Sequence, residues 1–169
     1  RVFEQTYARF LDLQKAEAQA RESQIEAALE RVRARALAMH NPEELKEVSH
    51  VLRTEMGLLG VEELETSSIY INDDSTEKTE CWYAIKDIRS KKQKLVNDHF
   101  ELDLNATWVG RKMLNFYKSK NERVSIKMTG NNRKEWIDYC EERSAPLKGY
   151  YGKDIPVRTY HLHKFSHGA

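Results

Sequence analysis

The first forty residues contain neither proline nor glycine, and this run constrains the fold more than any other feature of the chain. Because it is rich in helix-forming alanine, glutamate and arginine, we expect one long helix from Arg1 to about His40. In its second half, apolar residues recur at spacings of 4, 3, 4 and 3, the pattern of a coiled-coil stripe. We call this stripe the seam: Ile25, Leu29, Val32, Ala36 and Met39. A leading helix of this kind favours a part that passes a signal between domains over a self-contained enzyme.

The first half of the predicted helix has a different apolar face. Phe3, Tyr7 and Phe10 form a broad aromatic surface, whereas residues 14–24 are almost all polar or alanine. Counted in heptads from Phe3, the seam resumes at Ile25 one position out of phase, which is a stutter that locally unwinds a supercoil. We expect two packings of the seam to interconvert at this stutter. An alternative is that residues 1–13 simply pack on this chain's own domain.

Length and composition bound the class of protein. The 169 residues suffice for one domain and the helix, and a net charge of +1 gives no electrostatic reason to expect nucleic acid or a membrane surface as a partner. No apolar run approaches the roughly 20 residues that span a bilayer. Cys81 and Cys140 lie far apart without a metal-ligand spacing, as is typical of reduced, buried cysteines. We therefore expect a cytoplasmic location.

Regular secondary structure is predicted along the rest of the chain. The segment Asn41-Pro42-Glu43-Glu44 marks a helix boundary, because asparagine caps helices and proline favours their first position; a second helix to about Met56 follows. Alternation of apolar residues predicts five strands, and helical periodicity predicts two further helices. The strands are expected at 66–72, 79–86, 94–102, 122–128 and 157–165, and the helices at 105–119 and 130–142. This pattern indicates an α+β domain over residues 41–169.

Four segments carry a resemblance to a known family: SQIEAALERVRARALAMH at 23–40, EELKEV at 43–48, MTGNNRKEWIDYC at 128–140 and YHLHKFSHG at 160–168. The chain resembles the GAF-like sensor modules of bacterial multidomain signal-transduction histidine kinases. The resemblance implies an antiparallel sheet of about five strands with helices on one face and a small-molecule pocket on the other. It also implies a homodimer through the leading helix. Residues 1–20 would then be the terminal helix of a preceding module, and residues 41–169 a GAF-like domain truncated at its C-terminus.

The aromatic residues of the domain are candidates for lining such a pocket. We single out Trp82, Trp108, Trp136 and His161, since ligand pockets are mostly apolar with a few polar groups. The same aromatic residues would serve equally well as the core that every domain needs. The sequence lacks the chromophore-attaching cysteine context and the cyclic-nucleotide signature of some GAF modules, so it identifies no cofactor or ligand.

Two histidine motifs resemble functional sites but lack features that such sites need. Ser49-His50-x-Leu52-Arg53-Thr54 is similar to the phosphoacceptor box of histidine kinases, but Val51 and Glu55 replace the usual acidic residue and proline. His161-x-His163 places two imidazoles on one face of a strand, where they can chelate a metal only if further ligands arrive from elsewhere. The spacing of the remaining histidine, cysteine and acidic residues gives no reason to place such ligands nearby. We therefore predict neither a metal site nor catalytic residues.

These observations predict a non-catalytic sensory or signal-relay module that forms a homodimer through the seam. Its other partners would be neighbouring domains of the same polypeptide and a small-molecule ligand, with no nucleic acid and no membrane contact. Two alternatives stay open. One is a histidine phosphotransfer segment that uses His50, and the other is a scaffold domain whose pocket is filled by its own side chains.

Overall fold

The computed structural model describes residues 2–61, 64–76, 78–87, 89, 94–152, 155–166 and 168–169. The helices are α1 (Val2–Leu37), α2 (Leu45–Leu58), α3 (Trp108–Lys118) and α4 (Gly130–Glu141). The strands are β1 (Thr66–Asp73), β2 (Lys78–Lys86), β3 (Leu95–Leu102), β4 (Arg123–Met128) and β5 (Arg158–His163). Short 3-10 helices cover Pro42–Glu44 and Ala145–Leu147. The predicted α+β class is confirmed.

The first two helices meet where the sequence placed a boundary. α1 ends at Leu37, earlier than the expected His40, and Pro42 opens the 3-10 turn that leads into α2. Proline ends the helix because it disfavours helical geometry in the residue before it and has no N–H to donate. α2 continues past Met56 to Leu58, and Gly60 follows with a φ of 82° that an L side chain rarely adopts.

The strands form two sheets rather than the expected single sheet of about five strands. β1, β2 and β3 form an antiparallel meander, which we call the main sheet, while β4 and β5 form a separate antiparallel pair. The chain turns back after β5, with Phe165 and Gly168 hydrogen-bonded to each other. At the end of this turn Gly168 forms a bridge with Ile71 of the main sheet, and Tyr70 and Ala169 exchange two backbone hydrogen bonds of 2.7 and 3.0 Å.

The main sheet is covered on both faces. Tyr70, Cys81 and Phe100 lie side by side on one face, which we call the core face because it packs in the main hydrophobic core. Ser67 and Ala84 are paired on the opposite face, which we call the α2 face. α2 packs on this face, and the Asn97 amide nitrogen donates to the Lys46 carbonyl oxygen at 3.3 Å.

The core is completed by α3, α4 and the β4–β5 pair. Val109 and Met128 are fully buried in it together with Leu102 from the main sheet. α3 begins at a cap in which the Thr107 hydroxyl accepts a hydrogen bond of 2.9 Å from the Gly110 N–H. A Cβ atom at Gly110 would lie 2.5 Å from the Leu104 carbonyl oxygen, so only glycine lets α3 lie this close to the preceding loop.

The second half of α1 contacts the domain through its side chains. Arg21, Ala28 and Arg35 recur every seven residues and form one stripe that faces α2, and Ala28 is 3% exposed. By contrast, the side chains of residues 3–20 are exposed, and Phe3 is 81% exposed. The alternative that residues 1–13 pack on this chain's own domain is therefore wrong for the described residues. None of the helices in the described ranges is long and apolar enough to cross a membrane.

Candidate functional site

A cavity of about 40 Å³ lies between the core face of the main sheet and α4. Its lining combines aromatic rings, thiols and hydroxyl groups. The lining includes Glu65, Ser68, Tyr70, Cys81, Tyr83, Phe100, Trp136, Ile137, Cys140, Glu141, Tyr151 and Tyr160. For comparison, an engineered apolar cavity of about 150 Å³ accepts benzene, so this cavity in its present form accepts only a few atoms.

Local periodicity positions the two walls. Tyr70, Cys81 and Phe100 are register partners on β1, β2 and β3, which places their side chains in one row. Trp136 and Cys140 are four residues apart on α4 and therefore lie on the same face of that helix. The cavity is the space that this row and this helix face leave unfilled between them.

The thiols and two of the tyrosine hydroxyls of the cavity are held in their neutral forms. Burial raises the pKa of Cys140 to about 12, and burial raises the pKa of Cys81 well above its usual value. Burial likewise raises the pKa values of Tyr70 and Tyr160. At neutral pH the thiols are therefore weak nucleophiles and the tyrosines keep their hydroxyl protons.

Two tyrosine hydroxyls in the lining accept hydrogen bonds from buried donors. The Trp136 indole Nε1 donates to the Tyr160 oxygen at 2.9 Å, and Arg133 Nη2 donates to the Tyr151 oxygen at 2.8 Å. Within the part of the chain that the structure describes, no hydrogen bond uses the hydroxyl proton of either tyrosine. Among the described residues, each hydroxyl is therefore left with a proton to donate.

One carboxylate beside the cavity is shared by two guanidinium groups. Glu65 accepts from Arg133 Nη2 at 2.9 Å and from Arg158 Nε at 2.5 Å. Arg133 is 1% exposed, and its Nη1 is buried without a hydrogen-bond partner among the described residues. A buried charge needs compensation, and here one negative charge faces two positive ones.

A hydrogen-bond network ties the loop after α4 to the core face. The Tyr83 hydroxyl and Ser144 Oγ are 2.6 Å apart, and Ser144 Oγ donates to Asp98 Oδ2 at 2.6 Å. Tyr83 and Asp98 are register partners on β2 and β3, so the network clamps two strands and the loop at one point. Burial raises the pKa of Tyr83, which keeps it protonated.

Of the four predicted pocket residues, only Trp136 lines this cavity. Trp82 is buried on the α2 face, where it stacks on His99 with ring centroids 4.6 Å apart. Trp108 is half-buried at the start of α3, and His161 is exposed on β5 with Nδ1 2.9 Å from the Ser125 hydroxyl. The structure therefore does not bring the four residues together.

The sequence interpretation missed polar residues that line the cavity or lie behind its lining. Tyr160, Glu65 and Arg133 were not singled out, and Tyr151 entered only as one of many aromatic residues. A signal existed for Tyr160, because it precedes the buried Leu162 by two residues on β5 and so shares its face. For Arg133 none existed, since its burial depends on Glu65, which is distant in sequence.

The histidine motifs lie away from the cavity. His50 is half-buried on α2, and its carbonyl oxygen accepts from Thr54 Oγ1 at 2.9 Å. His161 and His163 are both exposed on β5, as the alternation predicted. Among the described residues, no group of three or more histidine, cysteine, aspartate or glutamate side chains can hold a metal ion.

The α2 face contains most of the unpaired polar atoms. Four buried side-chain nitrogen or oxygen atoms lack a hydrogen-bond partner in the described ranges, and three of them are Arg53 Nε, Ser67 Oγ and Trp82 Nε1. Arg53 lies on α2, while the other two lie on the strands beneath it. Such unpaired atoms make this interface less completely satisfied than the core.

Ion pairs connect α2 to α1. Arg31 binds Glu55 through two contacts of 2.6 Å, and Arg35 contacts Glu44 at 2.9 Å and Glu47 at 2.5 Å. These contacts hold the pKa values of Glu44 and Glu55 below their usual range. Ion pairs therefore contribute to the contact between the two helices, alongside the buried side chain of Ala28.

The seam is only partly covered by these contacts. Ile25 and Leu29 are 40% and 46% exposed, whereas Val32, Ala36 and Met39 are half-buried. The stripe that faces α2 runs beside the seam rather than along it, which leaves the first two seam positions open to solvent.

Comparison with protein-family models, with curated proteins and with solved structures finds no match to this chain. A functional proposal therefore depends on the chain's own geometry and on the resemblance of its motifs.

Proposed function

We propose that this chain is a non-catalytic sensory or signal-relay module of a bacterial signal-transduction protein, GAF-like in kind and homodimeric through α1. The observation that carries the proposal is a continuous line of contacts. It leads from the cavity through the main sheet to α2, and from α2 to α1. The proposed signal follows this line.

The first step crosses the main sheet. Cys81 and Trp82 are consecutive residues of β2, so their side chains point to opposite faces. Cys81 lines the cavity, and Trp82 lies on the side of the sheet that α2 covers. A ligand that displaces β2 would therefore disturb both the cavity and the contact with α2.

The second step passes from α2 to α1. Arg31 and Arg35 are the α1 residues that engage the carboxylates of α2 and of the turn before it. Charge-assisted hydrogen bonds of this kind fix orientation, and an arginine can exchange one carboxylate for another. Arg35 already contacts two carboxylates, which gives α1 alternative positions against α2.

A non-catalytic role is supported by the chemistry of the cavity. Its candidate nucleophiles are Cys81 and Cys140, and burial raises the pKa of each thiol. A protonated thiol reacts slowly, because the thiolate is the nucleophile. These residues are therefore better suited to binding than to covalent chemistry.

Dimerisation is supported by the apolar side chains that α1 exposes. Phe3, Tyr7, Phe10, Leu13, Ile25 and Leu29 are all at least 40% exposed. A series of this size along one helix marks an interaction surface. A second copy of α1 is the proposed partner, because the seam has the heptad spacing of a coiled coil.

Sedimentation velocity tests the dimer. Ile25→Glu combined with Leu29→Glu places two charges on exposed seam positions and should convert the dimer into a monomer. The matched control is Ala20→Glu combined with Ala27→Glu, which adds the same charge on the opposite side of α1 and should leave the dimer intact. A monomeric wild-type chain, or a dimer that survives the seam substitutions, would overturn the proposal.

A further inference from the structure

We propose that the cavity binds the carboxylate group of a small organic acid, held by the hydroxyl protons of Tyr151 and Tyr160. The inference rests on the proposed sensory function for its meaning, because it names the class of ligand that such a module would detect. Its evidence is separate from that for the dimer, since it depends on the hydrogen-bonding capacity, charge and size of the cavity.

The cavity contains hydroxyl groups that can still donate a hydrogen bond. A tyrosine hydroxyl accepts hydrogen bonds and donates one proton. Trp136 and Arg133 donate to the oxygens of Tyr160 and Tyr151, and the described residues form no bond with either hydroxyl proton. Both tyrosines line the cavity, so a ligand that presents hydrogen-bond acceptors would complete the arrangement.

The groups behind the tyrosines strengthen these donors. A hydroxyl that accepts a hydrogen bond becomes polarised and donates its own proton more strongly. For Tyr151 the polarising group is a buried cation, because Arg133 is 1% exposed and its Nη2 donates to the Tyr151 oxygen. Burial raises the pKa of Tyr160 and keeps its hydroxyl protonated.

The local charge favours an anion. Glu65 is shared by Arg133 and Arg158, so among the described residues one carboxylate faces two guanidinium groups at this end of the cavity. Glu141 also lines the cavity and is half-buried. Its charge raises the pKa of Cys140, whereas the charge of Arg143 lowers it. The excess positive charge is therefore concentrated near Tyr151, which Arg133 contacts directly.

Shape and size restrict the anion further. A carboxylate has two acceptor oxygens in one plane, which suits two separate donors. The cavity volume of about 40 Å³ is well below the roughly 150 Å³ that accepts benzene. Formate, acetate and propionate are therefore the appropriate probes, and an aromatic acid is too large for the cavity in this conformation.

A nuclear magnetic resonance titration of the full chain with sodium propionate tests the inference. The reporter is the indole N–H of Trp136, which donates to Tyr160 and is assigned by its loss in Trp136→Phe. We expect a saturable shift with propionate and at least tenfold weaker binding of propionamide, the neutral analogue, with sodium chloride matching the ionic strength. No saturable shift, or equal binding of both compounds, would overturn the inference.

A pair of adjacent tyrosines supplies the matched variants. Tyr151→Phe removes one proposed donor and should weaken propionate binding at least tenfold. Tyr150→Phe should leave the affinity unchanged, because Tyr150 does not line the cavity and its hydroxyl donates to the Lys86 carbonyl oxygen. Equal affinities of the two variants would contradict the assignment. If propionate fails to bind while the seam variants still dissociate the dimer, only this inference fails.

Discussion

The two faces of the main sheet are made by the same three strands but differ in how completely their buried polar groups are paired. On the core face, the Tyr83 hydroxyl is bonded to Ser144, which also donates to Asp98. On the α2 face, Ser67 and Trp82 are buried without a partner for their polar atoms within the described residues. A fully paired network specifies one arrangement, whereas an incompletely paired one leaves alternatives of similar energy. From this difference we expect α2 to change position more readily than the Tyr83–Ser144–Asp98 network.

The largest expected difference between the faces comes from two buried serines. Ser144→Ala removes a hydrogen bond to a carboxylate and leaves Tyr83 without its partner, so it should lower the free energy of unfolding by about 2–3 kcal/mol. Ser67→Ala removes an unpaired hydroxyl and should change the free energy of unfolding by less than about 0.5 kcal/mol, or raise it. Urea unfolding measures both values, and equal losses would remove the distinction between the faces.

A smaller difference is expected from two buried tryptophans. Trp136→Phe and Trp82→Phe remove the same atoms, but among the described residues the Trp136 indole nitrogen has a hydrogen-bond partner and the Trp82 indole nitrogen has none. Trp136→Phe should therefore be the less stable variant by about 1–2 kcal/mol. The comparison is made by urea unfolding under identical conditions. A more stable Trp136→Phe variant would show that the α2 face is the better satisfied of the two.

The smallest effect is expected from pH, at the contact between α1 and α2. Arg31 and Arg35 hold the pKa values of Glu55 and Glu44 below their usual 4.5. Since the pKa is lower in the folded state, each carboxylate stabilises the contact above about pH 4.5, and this stabilisation is lost as the pH falls through the folded-state value. Acidification should therefore partly release residues 21–37 of α1 from α2 while the main sheet stays folded.

Hydrogen exchange, corrected for the intrinsic effect of pH on exchange, measures this release. Glu55→Gln should reduce the protection of residues 21–37 at neutral pH and weaken its pH dependence. Glu26→Gln, an exposed position on α1, serves as the control and should behave as the wild type. A pH profile that is the same in Glu55→Gln and the wild type would contradict the ion-pair account.

The sequence predicted most helices and strands, because their periodicity is local. The grouping of strands could not be predicted in the same way, since it rests on pairings between residues far apart in sequence, such as Ile71 and Gly168. The sequence also does not show on which face of the sheet each aromatic residue of β2 lies. The segment from Cys81 to Ile85 is buried throughout, so alternation carries no information there about which side is the core.

The candidate site was predicted less well than the fold. Trp136 was identified because a large aromatic residue on an amphipathic helix faces the interior. Arg133 lies on the same helix, and its sequence context is that of an exposed cation. Its burial follows from the carboxylate of Glu65 and the hydroxyl of Tyr151, and neither contact leaves a local sequence signal.

The central claim is that a change in the cavity reaches α1 through the main sheet and α2. Hydrogen exchange with mass spectrometry, comparing the wild type with Cys140→Met, tests this claim directly because the longer side chain occupies the cavity without any added ligand. We predict altered protection in α2 and in residues 21–37 of α1, together with the expected change around the cavity. Altered protection confined to the cavity and α4, with α2 and α1 unchanged, would contradict the account.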